Sequence, residues 1–102
     1  MNRFQNITED HIDLMHIIES DTSATQRQIA KKTGLSIGKV NYCLNALIDI
    51  GFIKAGNFKK SKQKLNYAYI LTPKGIREKS HITKQFIIKK KKEYNKLNSY
   101  IT

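Results

Sequence analysis

One predicted helix carries polar side chains that are suited to hydrogen bonding with the edges of nucleobases. At about 100° per residue, Gly38, Tyr42 and Asn45 fall on the side of this helix opposite the apolar Val40 and Leu44. An asparagine amide donates and accepts in one plane, which suits adenine, and tyrosine can contact a thymine methyl group or a phosphate. The candidate base-contacting residues on or beside this face are Ser36, Gly38, Lys39, Asn41, Tyr42 and Asn45.

Gly38 supports the same interpretation for a different reason. A glycine inside a helix costs about 1 kcal/mol relative to alanine. Loss of a side chain where a helix meets a DNA groove would explain why the cost is tolerated. The alternative is that this face is an ordinary solvated helix surface, because polar residues on an outer face are common.

A lysine-rich stretch follows this helix and contains no acidic residue. Its candidate phosphate-binding residues are Lys54, Lys59, Lys60, Lys62 and Lys64. Clustered like charges destabilise a hairpin unless they are neutralised, and phosphates would neutralise them. Protection of an edge hairpin against aggregation is the alternative role for these lysines.

The start of the preceding helix offers three further candidate phosphate contacts. These are Thr25, Gln26 and Arg27. In helix-turn-helix motifs the first helix crosses the DNA backbone in this way.

The charge of the chain favours a polyanionic partner. The formal net charge is +11, and it is uneven. Residues 1–51 carry five basic and six acidic residues, whereas residues 52–102 carry fourteen and two. This asymmetry favours nucleic acid, and a solubilising excess of charge is the alternative.

Other patterns argue against several classes of protein. No apolar run approaches the roughly 20 residues of a membrane span, and the N-terminus lacks a secretory apolar segment. Cys43 is the one cysteine, and the three histidines have no metal-ligand spacing. We therefore expect a cytoplasmic protein that is not an enzyme and has no cofactor, metal site or membrane partner.

Capping and turn residues predict the elements that position these side chains. Thr8 caps a first helix over 9–19, Thr25 and Gln28 have capping-box spacing, and Gly34 ends the second helix. The remaining predicted boundaries are a third helix between Ser36 and Gly51, strands over 52–56 and 65–71, and a last helix from Pro73 towards Tyr100, with a break near residues 80–81 left open.

The second half of the last helix predicts a dimer contact. Ile87, Tyr94 and Ile101 recur every seven residues, with Leu97 and Phe86 beside them. Packing back on the same domain is the alternative for this apolar face.

These elements predict a mainly α fold with a small β-hairpin, in the α+β class. The architecture is a winged helix-turn-helix followed by a C-terminal dimerisation helix. We expect a DNA-binding domain over residues 1–80 and an amphipathic dimerisation helix over residues 81–102.

The order of elements, with LTPKG opening the last helix, resembles the MarR-type winged-helix regulators. The segments SIGKVNYCLNALIDIGFIKAGNF and KLNYAYILTPKGI are similar to the small exopolysaccharide-associated (EPS-associated) MarR regulators of bacteria. The resemblance implies a dimeric transcriptional regulator that binds operator DNA through the residues named above, with a link to exopolysaccharide genes. Larger MarR proteins build a ligand pocket from long terminal segments, which this sequence does not show, so we make no prediction of a small-molecule effector.

The predicted function is sequence-specific binding of double-stranded DNA by a homodimer that regulates transcription. Two alternatives belong to other classes. A winged-helix protein-interaction module would show no salt-dependent DNA affinity, and a non-specific architectural binder would bind any duplex equally.

Overall fold

The computed structural model describes residues 6–55 and 68–101. Within these ranges the chain is mostly helical, with a small antiparallel hairpin, and the predicted fold class is confirmed. The elements in chain order are α1 (Glu9–Ser20), α2 (Gln26–Thr33), α3 (Ile37–Asp49), β1 (Ile53–Ala55), β2 (Tyr69–Leu71) and α4 (Pro73–Asn98).

The helix-turn-helix forms where its capping residues predict it. The hydroxyl of Thr25 accepts from the backbone N–H of Gln28 at 3.3 Å, and the Gln28 side chain accepts from the N–H of Thr25 at 2.9 Å. Gly34 ends α2 at φ 77°, and the Ser36 hydroxyl then accepts from the N–H of Lys39 at 3.0 Å. Each end is fixed by contacts within a few residues, so the turn sets the direction of α3 locally.

A buried histidine closes the start of α1. Thr8 is the N-cap, as predicted, and its backbone N–H donates to Nδ1 of His11 at 3.0 Å. That ring nitrogen must therefore carry no proton. Burial, together with the charge of Lys39, lowers the pKa of His11 below its usual value, while Asp10 opposes the shift.

Folding stability is expected to fall as the pH drops below about 6.5, the usual histidine pKa. The unfolded chain takes up a proton there while His11 in the folded chain resists it, so protonation favours unfolding. Urea unfolding at about pH 7 and about pH 5.5 measures the effect. His11→Gln keeps an acceptor for the N–H of Thr8 without titrating, so its stability should change less; equal pH dependence in both proteins would contradict the assignment.

The core lies between the first three helices and the hairpin. The apolar stripe predicted on α3 is buried and consists of Val40, Cys43, Leu44 and Leu47. It packs with side chains from α1, α2 and β1, which include Leu14, Ile18, Ile29 and Ile53. Burial raises the pKa of the Cys43 thiol, which keeps it in the apolar protonated form.

The hairpin pairs β1 with β2 in antiparallel register, with Ile53 opposite Leu71 and Ala55 opposite Tyr69. Of the predicted ranges 52–56 and 65–71, Phe52 and Ala68 lie outside the strands, and residues 56 and 65–67 lie outside the described residues. The predicted loop, with Lys59, Lys60, Lys62 and Lys64, lies outside the described residues. We call residues 52–71 the wing.

A tight junction joins the end of α3 to the start of α4. The Thr72 hydroxyl donates to the carbonyl of Gly51 at 2.6 Å and accepts from the N–H of Gly75 at 3.0 Å. The ammonium of Lys74 donates to the carbonyl of Ile50 at 2.9 Å, at the negative end of the α3 dipole. Gly75 lies against the backbone of Phe52, so the first turn of α4 packs directly on the segment between α3 and β1.

Helix α4 runs without interruption for 26 residues, or about 39 Å. The break considered near residues 80–81 is absent, and the predicted domain boundary falls inside the helix. Ile82 packs into the core, whereas the C-terminal turns are exposed. The radius of gyration of 15.7 Å exceeds the roughly 13 Å of a compact chain of this length, as a projecting helix requires.

No helix in the described ranges combines the length and apolar character that a membrane crossing demands.

Candidate nucleic-acid interface

The outer face of α3 is open to solvent at its N-terminal half. Ser36, Gly38 and Lys39 are exposed, and Tyr42 is 67% exposed. The ammonium of Lys39 lies 5.6 Å from the centre of the Tyr42 ring, so the two side chains form one patch. A cation, an aromatic ring and a bare backbone position thus occupy adjacent turns of the helix.

Gly38 is not needed by the fold itself. A Cβ added at this position would come no closer than 4.0 Å to another atom, the Ser36 hydroxyl, and its backbone φ is not positive. The structure places it at the second residue of α3. The contacts of the folded chain therefore give no reason for glycine at this position.

Asn41 and Asn45 are half-buried and hydrogen-bonded to each other. Nδ2 of Asn45 donates to Oδ1 of Asn41 at 3.1 Å, and Nδ2 of Asn41 donates to Oε1 of Gln26 at 3.4 Å. Nε2 of Gln26 in turn donates to the hydroxyl of Tyr69 at 2.8 Å. The structure therefore brings two predicted base-contacting residues into one polar chain that reaches the wing.

The structure does not support the predicted phosphate contact of the Gln26 side chain. Gln26 was predicted to bind phosphate, but its side chain is fully buried and its amide is bonded to Asn41 and Tyr69. A polar residue at the first position of a helix is normally exposed. Its burial here depends on Tyr69, a partner 43 residues away that sequence spacing does not reveal.

The other predicted phosphate contacts differ in what they offer. Arg27 and Lys54 are exposed, and Thr25 is half-buried with its hydroxyl in the α2 cap. The backbone N–H of Thr25 is engaged in the cap and its hydroxyl accepts there, so an approaching phosphate would meet the O–H of Thr25 and the Arg27 side chain. The four loop lysines lie outside the described residues.

Ion pairs in the described ranges lie away from this surface. They join Lys32 with Asp21 at 3.5 Å, Lys79 with Glu19 at 2.6 Å, and Lys90 with Glu9 at 2.9 Å. Arg27, Lys39 and Lys54 make no ion pair within the part of the chain that the structure describes. Their positive charge is therefore available to a ligand.

The C-terminal half of α4 exposes the predicted dimer residues, with one exception. Ile87, Tyr94, Leu97 and Ile101 range from 48% to 79% exposed. Phe86 is half-buried against its own core, because it lies four residues after the buried Ile82 on the same face of the helix. The exposed seam therefore begins at Ile87.

Comparison with known proteins agrees with this architecture. Residues 10–54 match a family model described as winged helix-turn-helix DNA-binding. A MarR/EmrR family transcriptional regulator from Acinetobacter sp. has 20% sequence identity and a TM-score of 0.65, over 88% of this chain and 61% of that protein. No curated protein matches the sequence.

Two further solved structures are similar. FabT from Streptococcus pneumoniae, determined in complex with DNA, has 24% identity and a TM-score of 0.62, over 99% of this chain and 66% of FabT. A multiple antibiotic-resistance repressor (MarR) from Listeria monocytogenes has 14% identity and a TM-score of 0.65, over 94% and 62%. The chain spans less than two thirds of each of these three proteins. It has a winged helix-turn-helix DNA-binding fold similar to that of MarR-family transcriptional regulators.

Proposed function

We propose that this protein is a cytoplasmic, sequence-specific regulator of transcription that binds double-stranded DNA as a homodimer. The observation that carries the proposal is the exposed N-terminal half of α3, with a glycine that the fold does not need. In helix-turn-helix proteins the second helix of the motif enters the major groove by its N-terminal residues. Its targets, by the resemblance to EPS-associated regulators, are exopolysaccharide genes.

Each part of the surface has a separate role in this proposal. The face of α3 with Tyr42 and Asn45 contacts base edges, while Arg27 and the wing lysines hold phosphates on either side. Phosphate contacts fix the position of the protein, and base contacts supply the specificity. The exposed and unpaired cations described above support the phosphate role, and FabT, with a similar fold, has been solved on DNA.

Tyr42→Ala and Asn45→Ala are expected to weaken binding to a cognate site about 5- to 100-fold, since a good base contact contributes about 1–3 kcal/mol. Binding to random duplex should change less than about twofold, because it depends on phosphates. The cognate site is first selected from a random duplex pool, and affinities for both duplexes are then measured by fluorescence anisotropy. Tyr100→Ala, an exposed tyrosine at the end of α4, is the control.

The same losses on both duplexes would contradict base recognition by α3. They would favour a non-specific architectural binder, which the net charge of +11 also suits. The random pool separates the two functions independently, because an architectural binder enriches no sequence.

The dimer part of the proposal depends on the exposed seam of α4. Ile87 and Tyr94 lie within about 20° of each other around the helix, with Leu97 at the edge of this strip and Ile101 just beyond the end of α4. A second copy of the same strip would cover these side chains, and their seven-residue spacing suits helix pairing. Two copies of α3 would then face successive major grooves.

Leu97→Glu combined with Ile101→Glu is expected to convert the dimer to a monomer, because pairing would bury four carboxylates against apolar side chains. Sedimentation velocity measures the change. Lys96→Glu alters charge on the opposite side of the helix and should leave the dimer intact. A dimer that persists in the double variant would place the interface elsewhere.

A further inference from the structure

Four side chains from α2, α3 and β2 form one continuous hydrogen-bonded chain. It runs from Asn45 on the outer face of α3 through Asn41 and Gln26 to the hydroxyl of Tyr69 in the wing. The distances are 3.1 Å, 3.4 Å and 2.8 Å in that order. We call this chain the amide relay.

The amides of the relay differ in the hydrogen-bonding groups that they keep free. Both ends of the Asn41 amide are used, one by Asn45 and one by Gln26. Asn45 spends one N–H on Asn41 and keeps its second N–H, and its Oδ1 has no partner among the described residues. Asn45 therefore offers one free N–H and an unpaired Oδ1 to an outside group, whereas Asn41 already forms a hydrogen bond at both ends of its amide.

Burial fixes the inner end of the relay. Gln26 is fully buried and Tyr69 is 2% exposed. If the amide of Asn45 rotated alone, its oxygen would face the oxygen of Asn41, and an attraction would become a repulsion. A reversal therefore requires all three amides to turn together, and one of them, Gln26, is fully buried.

We propose that Gln26 and Tyr69 are positioning residues that hold the Asn45 amide in place for contact with the DNA, and so strengthen a preference for adenine. Adenine presents an N6 donor and an N7 acceptor in the major groove, which match the free Oδ1 and N–H of Asn45. The proposal rests on the proposed function and changes one earlier prediction. Asn41, whose amide bonds to both Asn45 and Gln26, acts through Asn45 in this proposal.

Tyr69 connects the relay to the wing. Tyr69 lies opposite Ala55 in the hairpin, so its hydroxyl is held by the strand that leads out of the lysine-rich loop. A residue at the base of the wing thus affects base specificity without touching DNA. Its effect should appear at one base pair and not in the overall salt dependence.

Tyr69→Phe tests the proposal, because it removes the hydroxyl while keeping the buried ring. Its preference for the selected adenine over other bases at that position is expected to fall about three- to tenfold, as for the loss of one hydrogen bond. Affinity for random duplex should stay within about twofold of the wild type, since phosphate contacts are unchanged. Tyr100→Phe, which loses an exposed hydroxyl, should keep the full preference.

NMR of the free protein tests the relay without DNA. In Tyr69→Phe the side-chain amide signals of Gln26, Asn41 and Asn45 are all expected to shift, whereas in Tyr100→Phe none should. Signals of Asn41 and Asn45 that stay in place would overturn the relay. If Tyr69→Phe unfolds, Gln26→Leu replaces it, with the same expected loss of adenine preference and the same shifts of the two asparagines.

The outcomes separate this proposal from the proposed function. A wild-type protein that selects no sequence from the pool would contradict both the relay proposal and the proposed function, because there is then no adenine to prefer. A wild-type protein that selects a site, with an unchanged preference in Tyr69→Phe, overturns the relay alone and leaves sequence-specific binding in place.

Discussion

Gly75→Ala is expected to destabilise the fold by about 3 kcal/mol, in the range of severe overpacking. A Cβ at this position would lie 2.8 Å from the carbonyl carbon of Phe52 and still closer to its oxygen. The obstacle is backbone, so no side-chain rotation relieves it. Urea unfolding measures the loss, and a large fraction of total stability is at stake in a domain of this size.

Gly38→Ala is the matched control for that substitution. Space is open around Gly38, so the added methyl group should stabilise the free protein by about 0.5 kcal/mol through the unfolded chain. Its affinity for a cognate duplex should nevertheless fall, because the methyl group enters the helix-groove contact. A Gly75→Ala protein as stable as the wild type would contradict the close approach of α4 to Phe52.

DNA affinity is expected to fall about a thousandfold between 50 and 200 mM salt, on any duplex. Three lysines on phosphate in each protomer of a dimer give a slope near −5 in a plot of log K against log salt. The wing supplies five candidate lysines, of which Lys54 is exposed on β1 and four lie outside the described residues. Fluorescence anisotropy across a salt series measures the slope.

Replacement of Lys59, Lys60 and Lys62 by alanine should flatten that slope equally on cognate and random duplex. Lys96→Ala, far along α4, removes one positive charge without affecting the wing and should change the slope little. An unchanged slope in the triple variant would show that the wing does not lie on phosphate.

Local chemistry explains which features of the fold are predictable from sequence. The caps at Thr25 and Ser36 and the end of α2 at Gly34 depend on residues at most four positions apart. Local sequence also explains why helix α4 is continuous. Neither glycine nor proline stands near residues 80–81, so nothing interrupts the helix there.

Features that depend on distant partners are not predictable in this way. The burial of Gln26 depends on Tyr69, and the packing of Phe86 depends on where Ile82 meets the core. His11 closes the α1 cap in a position where glutamate or glutamine is the usual signal. The residue type alone favours an exposed side chain at Gln26, and the sequence pattern favours a dimer contact at Phe86, but tertiary contacts bury the first and pack the second on its own core.

The candidate site shows the same division. Periodicity identifies the outer face of α3, and the structure leaves Gly38, Lys39 and Tyr42 exposed on it. Periodicity does not separate Asn41 from Asn45, because both lie on accessible positions four residues apart. Their difference arises from the hydrogen bond to Gln26, which only the fold creates.

A crystal structure of the protein on its selected duplex tests the central claim most directly. We expect α3 to lie in the major groove, with the amide of Asn45 within about 3 Å of a base edge and Gly38 against the groove wall. A complex in which this face of α3 is covered by protein, or points away from the duplex, would contradict it.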